Sequence, residues 1–186
     1  DKAEYLGLLT ELLNEIETAE PNPQVSAAAP RILISGSVIP PGDRKVLDIV
    51  EEKGGRIVVD DLWSGFAPYF DTEIKAPGTD GIADAYLNRH PHASLPNLNI
   101  DTDRRLRNIR GLIDEFLADG VLFHTLRYCD SFTFKASETK NLLRSEGIPF
   151  LEIHTEYAGS DYEAIRTRIE AFVESLAAKA EAKHAV

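Results

Sequence analysis

The chain has 186 residues, 31 acidic against 20 basic side chains and a formal net charge of −11, enough chain to build one domain's core without a disulfide or metal staple. The acidic balance disfavours a phosphate backbone or an anionic membrane as main partner. No apolar run approaches the roughly 18–20 residues that span a bilayer, and the N-terminus lacks the basic-then-apolar order of a signal peptide, so we expect a cytoplasmic protein with no nucleic-acid or membrane partner.

Residues 1–20 read as an amphipathic helix, because Tyr5, Leu8, Leu9, Leu12, Leu13 and Ile16 recur at three- and four-residue spacing among Glu4, Glu11, Asn14 and Glu17. Pro21 to Pro30 breaks that period and reads as a linker. We therefore expect residues 1–30 to be helix and linker and residues 31–180 to be an α/β domain, within a longer parent protein. The first short apolar run, Ile32 to Ile34, ends at Ser35–Gly36–Ser37. Asp43 is expected to cap a helix carrying Val46, Leu47 and Val50, stopped by Gly54–Gly55. A second run, Ile57 to Val59, ends at Asp60–Asp61.

Residues 62–99 are less regular: Trp63, Phe66, Tyr69 and Phe70 cluster, a short helix is expected around Asp80 to Asn88, and a loop carries His90–Pro91–His92 and Pro96. Thr102 or Asp101 is expected to cap a helix with Leu106, Ile109, Ile113, Phe116 and Leu117 on its apolar face. The third run, Val121 to Phe123, ends at His124; a helix of roughly Phe134 to Glu146 then stops at Gly147; and the fourth run, Phe150 to Ile153, ends at His154. Ser160–Asp161–Tyr162–Glu163 is a capping box for a last helix bearing Ile165, Ile169, Phe172, Val173 and Leu176. Nearly continuous apolar runs are the mark of parallel strands buried on both faces. Their alternation with helices predicts a three-layer, flavodoxin-like doubly wound parallel sheet of about four strands in the order 2-1-3-4, with an added N-terminal helix.

Ligands of open α/β sheets gather beyond the carboxyl ends of the strands, which singles out Ser35–Ser37, Asp60–Trp63, His124–Asp130 and His154–Tyr157. Ser35–Gly36–Ser37 can cradle a phosphate or carboxylate on its amides, or serve as a plain tight turn; it is neither a Walker loop nor a dinucleotide fingerprint. Asp60–Asp61 can ligate Mg²⁺ or cap the next element. His90 and His92 flank a proline with no third ligand at an obvious spacing, and read as a solvated loop more readily than as a zinc site. The one cysteine, Cys129, excludes an internal disulfide framework and any metal site made wholly of this chain's cysteines. With His124 or His154 as base it has the residue types of a nucleophile pair; the alternative is a small buried apolar residue, although Arg127, Tyr128 and Asp130 around it point to a polar loop.

Four segments in order carry a resemblance. His124-Thr-Leu-Arg-Tyr-Cys-Asp130 after a strand resembles the H-x-x-K-x-C-D segment of the 2-hydroxyacyl-CoA dehydratase and benzoyl-CoA reductase family (2-hydroxyglutaryl-CoA dehydratase D-component). Ile32 to Ser37 resembles the first strand and loop of its C-terminal domain; Gly147 to Tyr157 is similar to its G-I-P-x-L-x-I-E-T-D-Y segment, and Ile165 to Phe172 to its L-R-T-R-I-E-A-F helix. The resemblance covers most of Arg31 to Leu176. It implies a [4Fe-4S] cluster on three cysteines with one iron open to substrate, an ATP-dependent iron–sulfur activator that delivers the electron, a second dehydratase subunit, and an acyl-CoA substrate that loses water through a ketyl radical or has its ring reduced. Thiolates suit such a cluster because soft anionic sulfur holds iron and lowers its potential.

Carried over by position, Cys129 matches the cluster cysteine of the C-terminal domain. Ser35, Gly36 and Ser37 match a loop facing the substrate, Arg127 is a candidate for binding it together with Arg44 and Lys45, and Ser37, His124 and Glu156 are expected on one cleft as catalytic candidates. Arg166 and Arg168 match the helix motif and read as ion pairs anchoring that helix. The family's other two cluster cysteines lie in an N-terminal domain without counterpart here, Arg127 stands where the family more often has lysine, and Glu156 where it has aspartate. We expect the C-terminal half of a dehydratase-type subunit, inactive alone; the alternative is a binding or regulatory module that kept the fold and lost the cluster.

Overall fold

The computed structural model describes residues 1–20, 26–62, 65–66, 72–88 and 102–184. Trp63, Tyr69, Phe70, the His90–Pro91–His92 segment, Pro96, Asp101 and the first part of the proline linker lie outside the described residues. Among the described residues the α-helices and strands follow in the order α1 Lys2–Thr18, β1 Arg31–Gly36, α2 Lys45–Glu52, β2 Arg56–Leu62, α3 Gly78–Asn88, α4 Thr102–Glu115, β3 Gly120–Leu126, α5 Asp130–Ser145, β4 Phe150–Thr155 and α6 Tyr162–His184. The strands form one parallel sheet in the order β2-β1-β3-β4, the expected doubly wound arrangement.

Side chains alternate across each strand, and the two faces collect separate cores. Ile32, Ile34, Leu122 and Ile153 pack with Val46, Ile49 and Val50 of α2 and with Ile165, Ile169 and Val173 of α6. Leu33, Val121, Phe123 and Phe150 pack on the other side with Ile109 and Leu112 of α4 and Phe132, Ala136 and Leu143 of α5. The central strands are buried except for one terminal residue each, Arg31 and Leu126, as parallel strands covered on both faces must be. The register of β1 against β2 shifts between Ile32 and Leu33, so that Ile32 faces Ile57 and Leu33 faces Val59.

Several boundaries differ from the sequence reading, each for a local reason. β2 and β3 run past the apolar residues to Leu62 and Leu126, so Asp60, Asp61, His124 and Thr125 are strand residues whose backbones belong to the ladder. Asp43 does not cap α2: Arg44 holds that position, with no side-chain cap. α5 starts four residues before Phe134, with Cys129 at its N-cap and Asp130 in its first turn. A 3₁₀ turn, Gly159–Asp161, precedes α6, and the Asp161 carboxylate accepts from the Glu156 amide at 2.9 Å and from Lys45 at 3.4 Å. α1 forms as expected, with Asp1 accepting from the Ala3 amide, yet none of its side chains is buried.

Candidate functional site

The carboxyl ends of the strands hold two polar sets, sorted by the face from which each side chain springs. On the α2/α6 side, His124 is 2% exposed. Its Nε2 lies 2.7 Å from Thr155 Oγ1 and its Nδ1 3.3 Å from Ser37 Oγ. Ser37 Oγ in turn accepts from the Leu126 amide at 2.9 Å, and the Ser37 amide donates to the His124 carbonyl at 2.8 Å. Ser37 thus stitches the loop after β1 to the end of β3 by both backbone and hydroxyl. Burial, the largest cause, pushes the His124 pKa below its ordinary value of 6.5, because an imidazolium would lose its hydration there. The ring is therefore neutral at physiological pH, one nitrogen donating and the other accepting.

Gly36 belongs to this junction for a steric reason. Its φ is +118°, and a Cβ built on it would stand 2.0 Å from the His124 carbonyl oxygen. The loop comes that close to β3 only because residue 36 has no side chain.

The α4/α5 side carries the second set. Ser35 Oγ donates to Asp61 Oδ2 at 2.8 Å, both residues being buried. Asp60 turns to its own loop, accepting from the Leu62 and Phe66 amides, and burial raises its pKa above 3.8. Thr125 follows Phe123 on this face; its Oγ1 is buried with no hydrogen-bond partner among the described residues. An orphaned hydroxyl of that kind is uncommon. Cys129 is half-buried against the α4/α5 core, not held in an open polar loop, and its thiol caps nothing at the start of α5.

Above both sets runs an open rim. Arg127 Nη1 and Glu156 Oε1 pair at 2.6 Å where β3 and β4 end, both half-exposed. Tyr128, between Arg127 and Cys129, is 89% exposed and holds φ +68°, a conformation that costs a non-glycine residue about 1 kcal/mol or more. Lys45 contributes from α2. Its ammonium is mostly buried and donates to the Glu156 and Ala158 carbonyls as well as to Asp161. It braces the loop after β4 and is no free cation for a ligand, in contrast to the expectation from sequence.

The expected cleft is thus resolved into parts. Ser37 touches His124, which in turn touches Thr155; Glu156 touches Arg127; Ser35 lies on the opposite face with Asp61; and Cys129 stands at the carboxyl edge, as position after a strand required. Sequence reasoning gave no site role to Thr155, Thr125 or Tyr128, although all three lie inside the segments that carry the family resemblance. For Tyr128 the only signal was its place between a strand and a helix start, which demands a sharp reversal. Arg168 donates to the Glu152 carbonyl at 2.5 Å and so ties α6 to β4, while Arg166 approaches Glu163 at 3.9 Å on its own helix.

One thiolate cannot hold a four-iron cluster, and no group of three His, Cys, Asp or Glu side chains among the described residues converges to hold a metal ion. The donor set within the described residues therefore fits one corner of such a cluster and no more. No helix among the described residues is long and apolar enough to cross a membrane.

The sequence profile of the 2-hydroxyglutaryl-CoA dehydratase D-component matches residues 1–176. A protein of Escherichia coli (strain K12) that carries the provisional name dehydratase subunit YjiM is 32% identical over 150 residues, 79% of this chain and 38% of its own. The (R)-phenyllactyl-CoA dehydratase beta subunit of Clostridium sporogenes is 29% identical over 178 residues, 95% of this chain and 45% of its own. The lactoyl-CoA dehydratase subunit beta of Anaerotignum propionicum is 24% identical over 179 residues, 94% of this chain and 45% of its own. The chain spans less than half the length of each of these relatives.

Proposed function

The chain belongs to the 2-hydroxyglutaryl-CoA dehydratase D-component family, and from that premise we propose that it is the C-terminal domain of a 2-hydroxyacyl-CoA dehydratase-type subunit. The reaction is removal of water from an (R)-2-hydroxyacyl-CoA, the hydroxyl leaving C2 and a proton leaving C3 to give the enoyl thioester. In this reading Cys129 supplies one thiolate to a [4Fe-4S] cluster completed by ligands outside the described residues. A second subunit completes the enzyme, and an ATP-dependent iron–sulfur activator supplies the electron that makes the elimination a radical one. Such a cluster, when bound through Cys129, would supply an open iron and a low-potential acceptor for that electron; its sulfur and iron chemistry suits the reducing cytoplasm.

The observation that carries the reading is the position of Cys129. It stands at the carboxyl edge, at the start of α5, directly after the strand whose other residues hold the Ser37 loop. Beside it Arg127 and Glu156 form the accessible polar pair; Arg127 is suited to an anionic part of the acyl-CoA, and Glu156 to a proton transfer. Ser37 and His124 are both buried, so in this reading they position the Ser35–Ser37 loop for the substrate while the rim touches it. The dehydratase names of two relatives, which act on phenyllactyl-CoA and lactoyl-CoA by name, support a 2-hydroxyacyl thioester over an aromatic ring as substrate.

The test uses the full-length protein, purified and reconstituted with iron and sulfide without oxygen. Iron bound at cluster stoichiometry, and its loss together with dehydratase activity in a Cys129→Ala variant of unchanged circular dichroism, is the expected result. Full retention of iron by that variant would overturn the ligand assignment. A protein that binds acyl-CoA and takes up no iron would instead favour a binding or regulatory module.

A further inference from the structure

β4 ends at Thr155, and Glu156 is the first residue beyond it, on the loop that leads to the 3₁₀ turn before α6. Its backbone is nevertheless held at three points. The Thr155 carbonyl accepts from the Arg127 amide at 2.8 Å. The Glu156 amide, on the same peptide, donates to Asp161 Oδ2 at 2.9 Å. The Glu156 carbonyl, on the next peptide, accepts from the Lys45 ammonium. Lys45 and Asp161 are themselves paired at 3.4 Å, which closes a ring from α2 to the start of α6 and back to Glu156.

Both members of the ion pair stand against their ordinary preferences. Lys45 opens α2, where the helix dipole disfavours a cation. Its side chain is 12% exposed, so the ammonium has given up most of its water. In exchange it meets the Glu156 and Ala158 carbonyls and Asp161, with Asp43 at 4.0 Å. Asp161 stands directly before α6, where an acid's usual partners are the amides of its own helix. It turns its two oxygens to Lys45 and to the Glu156 amide instead. A pair withdrawn from water in this way is often no more stabilising than well-packed apolar side chains, so its use here calls for a role in geometry.

We propose that Lys45 and Asp161 are positioning residues, whose ion pair fixes the backbone of Glu156 and so aims its carboxylate at Arg127, beside Cys129. The constraint is dihedral. Each peptide is a rigid plane, and only φ and ψ turn at the Cα between two of them. The plane before Glu156 is held at its carbonyl and its amide, and the plane after it at its carbonyl. Neither angle is then free, and the direction of the Cα–Cβ bond is set with them. The Arg127 amide bonds the first of those planes, so both partners of the 2.6 Å pair share one frame. Side chains as exposed as these two gain little orientation from packing, which leaves the backbone to supply it. This role rests on the reading of Glu156 as the proton-transfer group. It adds two residues, one from α2 and one from the turn before α6, that act through that carboxylate and not on the substrate.

The first readout is hydrogen exchange of the Glu156 amide in the intact chain, followed by NMR. Asp161→Ala should speed it about tenfold or more, and Asp161→Asn, which keeps an acceptor, should change it little. The second readout is turnover of an (R)-2-hydroxyacyl-CoA by the full-length protein with its second subunit and reconstituted cluster. Lys45→Met keeps the aliphatic stem and removes the ammonium. It should lower kcat about tenfold or more, as displaced catalytic groups do, and change KM less than about threefold. Glu156→Gln should lower kcat as well, and the double variant should lose no more than Glu156→Gln alone, because Lys45 acts through that carboxylate. A lysine that served the fold only would add its loss in both backgrounds. Asp161→Asn, the milder break of the ion pair, carries the same cycle should Lys45→Met not fold. An exchange rate indifferent to Asp161→Ala, full kcat in folded Lys45→Met, or additive losses would overturn the proposal and leave the role of Glu156 standing. Full kcat in Glu156→Gln, or no turnover by the unsubstituted protein, would overturn that role and the proposal with it.

Discussion

The carboxyl edge of the sheet contains two polar layers a few residues apart in sequence and opposite in kind. In the buried layer His124 is held between Ser37 and Thr155, and every bond joins one strand end to another. In the rim, the Arg127 and Glu156 side chains pair with each other alone among the described residues, Tyr128 is exposed to solvent, and the Cys129 thiol makes no capping bond at its helix start. The difference separates holding from binding. A group whose hydrogen bonds are all satisfied inside the protein has little left to offer a ligand, whereas a strained or loosely paired group has. The buried layer is where substitution should damage the fold, and the rim is where it should damage function alone.

Gly36→Ala tests the buried layer most severely. With φ +118° and a 2.0 Å encounter with the His124 carbonyl, it should cost about 3–5 kcal/mol or prevent folding, read by urea denaturation. Thr155→Val comes next: it keeps the shape and strands His124 Nε2, for a loss of about 1–3 kcal/mol. The neighbouring Thr125→Val is its control. Since Thr125 Oγ1 has no partner among the described residues, the same change there should be neutral or stabilising by up to about 1 kcal/mol. Equal losses at the two threonines would erase the distinction between bonded and orphaned hydroxyls.

Acidity should act through His124. Its folded-state pKa lies below 6.5, so between the two values the unfolded chain binds more protons than the folded one. This contribution to stability is complete above 6.5 and is lost as pH falls below it, down to the folded-state value. A His124→Asn variant should show a flatter denaturation midpoint across that window. The smallest effect on stability is expected for Arg127→Ala. Its pair with Glu156 is half-exposed and screened by solvent, so the loss should stay within about 1 kcal/mol, while acyl-CoA binding by the full-length protein should weaken more than tenfold. A variant that unfolds readily and binds normally would reverse the division between layer and rim.

Strand order and layers were legible because four apolar runs separated by amphipathic stretches admit few other parallel arrangements. The site was legible only as far as position goes. Motif order led to Ser37, His124, Cys129 and Glu156, and all of them stand at the carboxyl edge. The sequence could not say which face each side chain takes, because His124 and the residues after it prolong β3 without an apolar signal. That prolongation buries the imidazole and places Thr155 against it. Lys45 misled for a related reason: a lysine near a loop looks available, and only the fold shows three acceptors from the β4–α6 loop around its ammonium. Asp43 looked like a cap because its type favours that role, but α2 starts beyond its reach, at Lys45.

The irregular register between β1 and β2 decides which acid the edge presents. With an even register from Ile32 opposite Ile57, Ser35 would stand opposite Asp60; the one extra residue, Val58, brings Asp61 there instead. Two identical side chains thereby acquire separate duties: Asp61 locks to Ser35, and Asp60 gathers the amides of its own turn. Deleting Val58 would leave composition and charge almost unchanged and exchange the two carboxylates, so at this edge the count of residues in a strand matters as much as their kind.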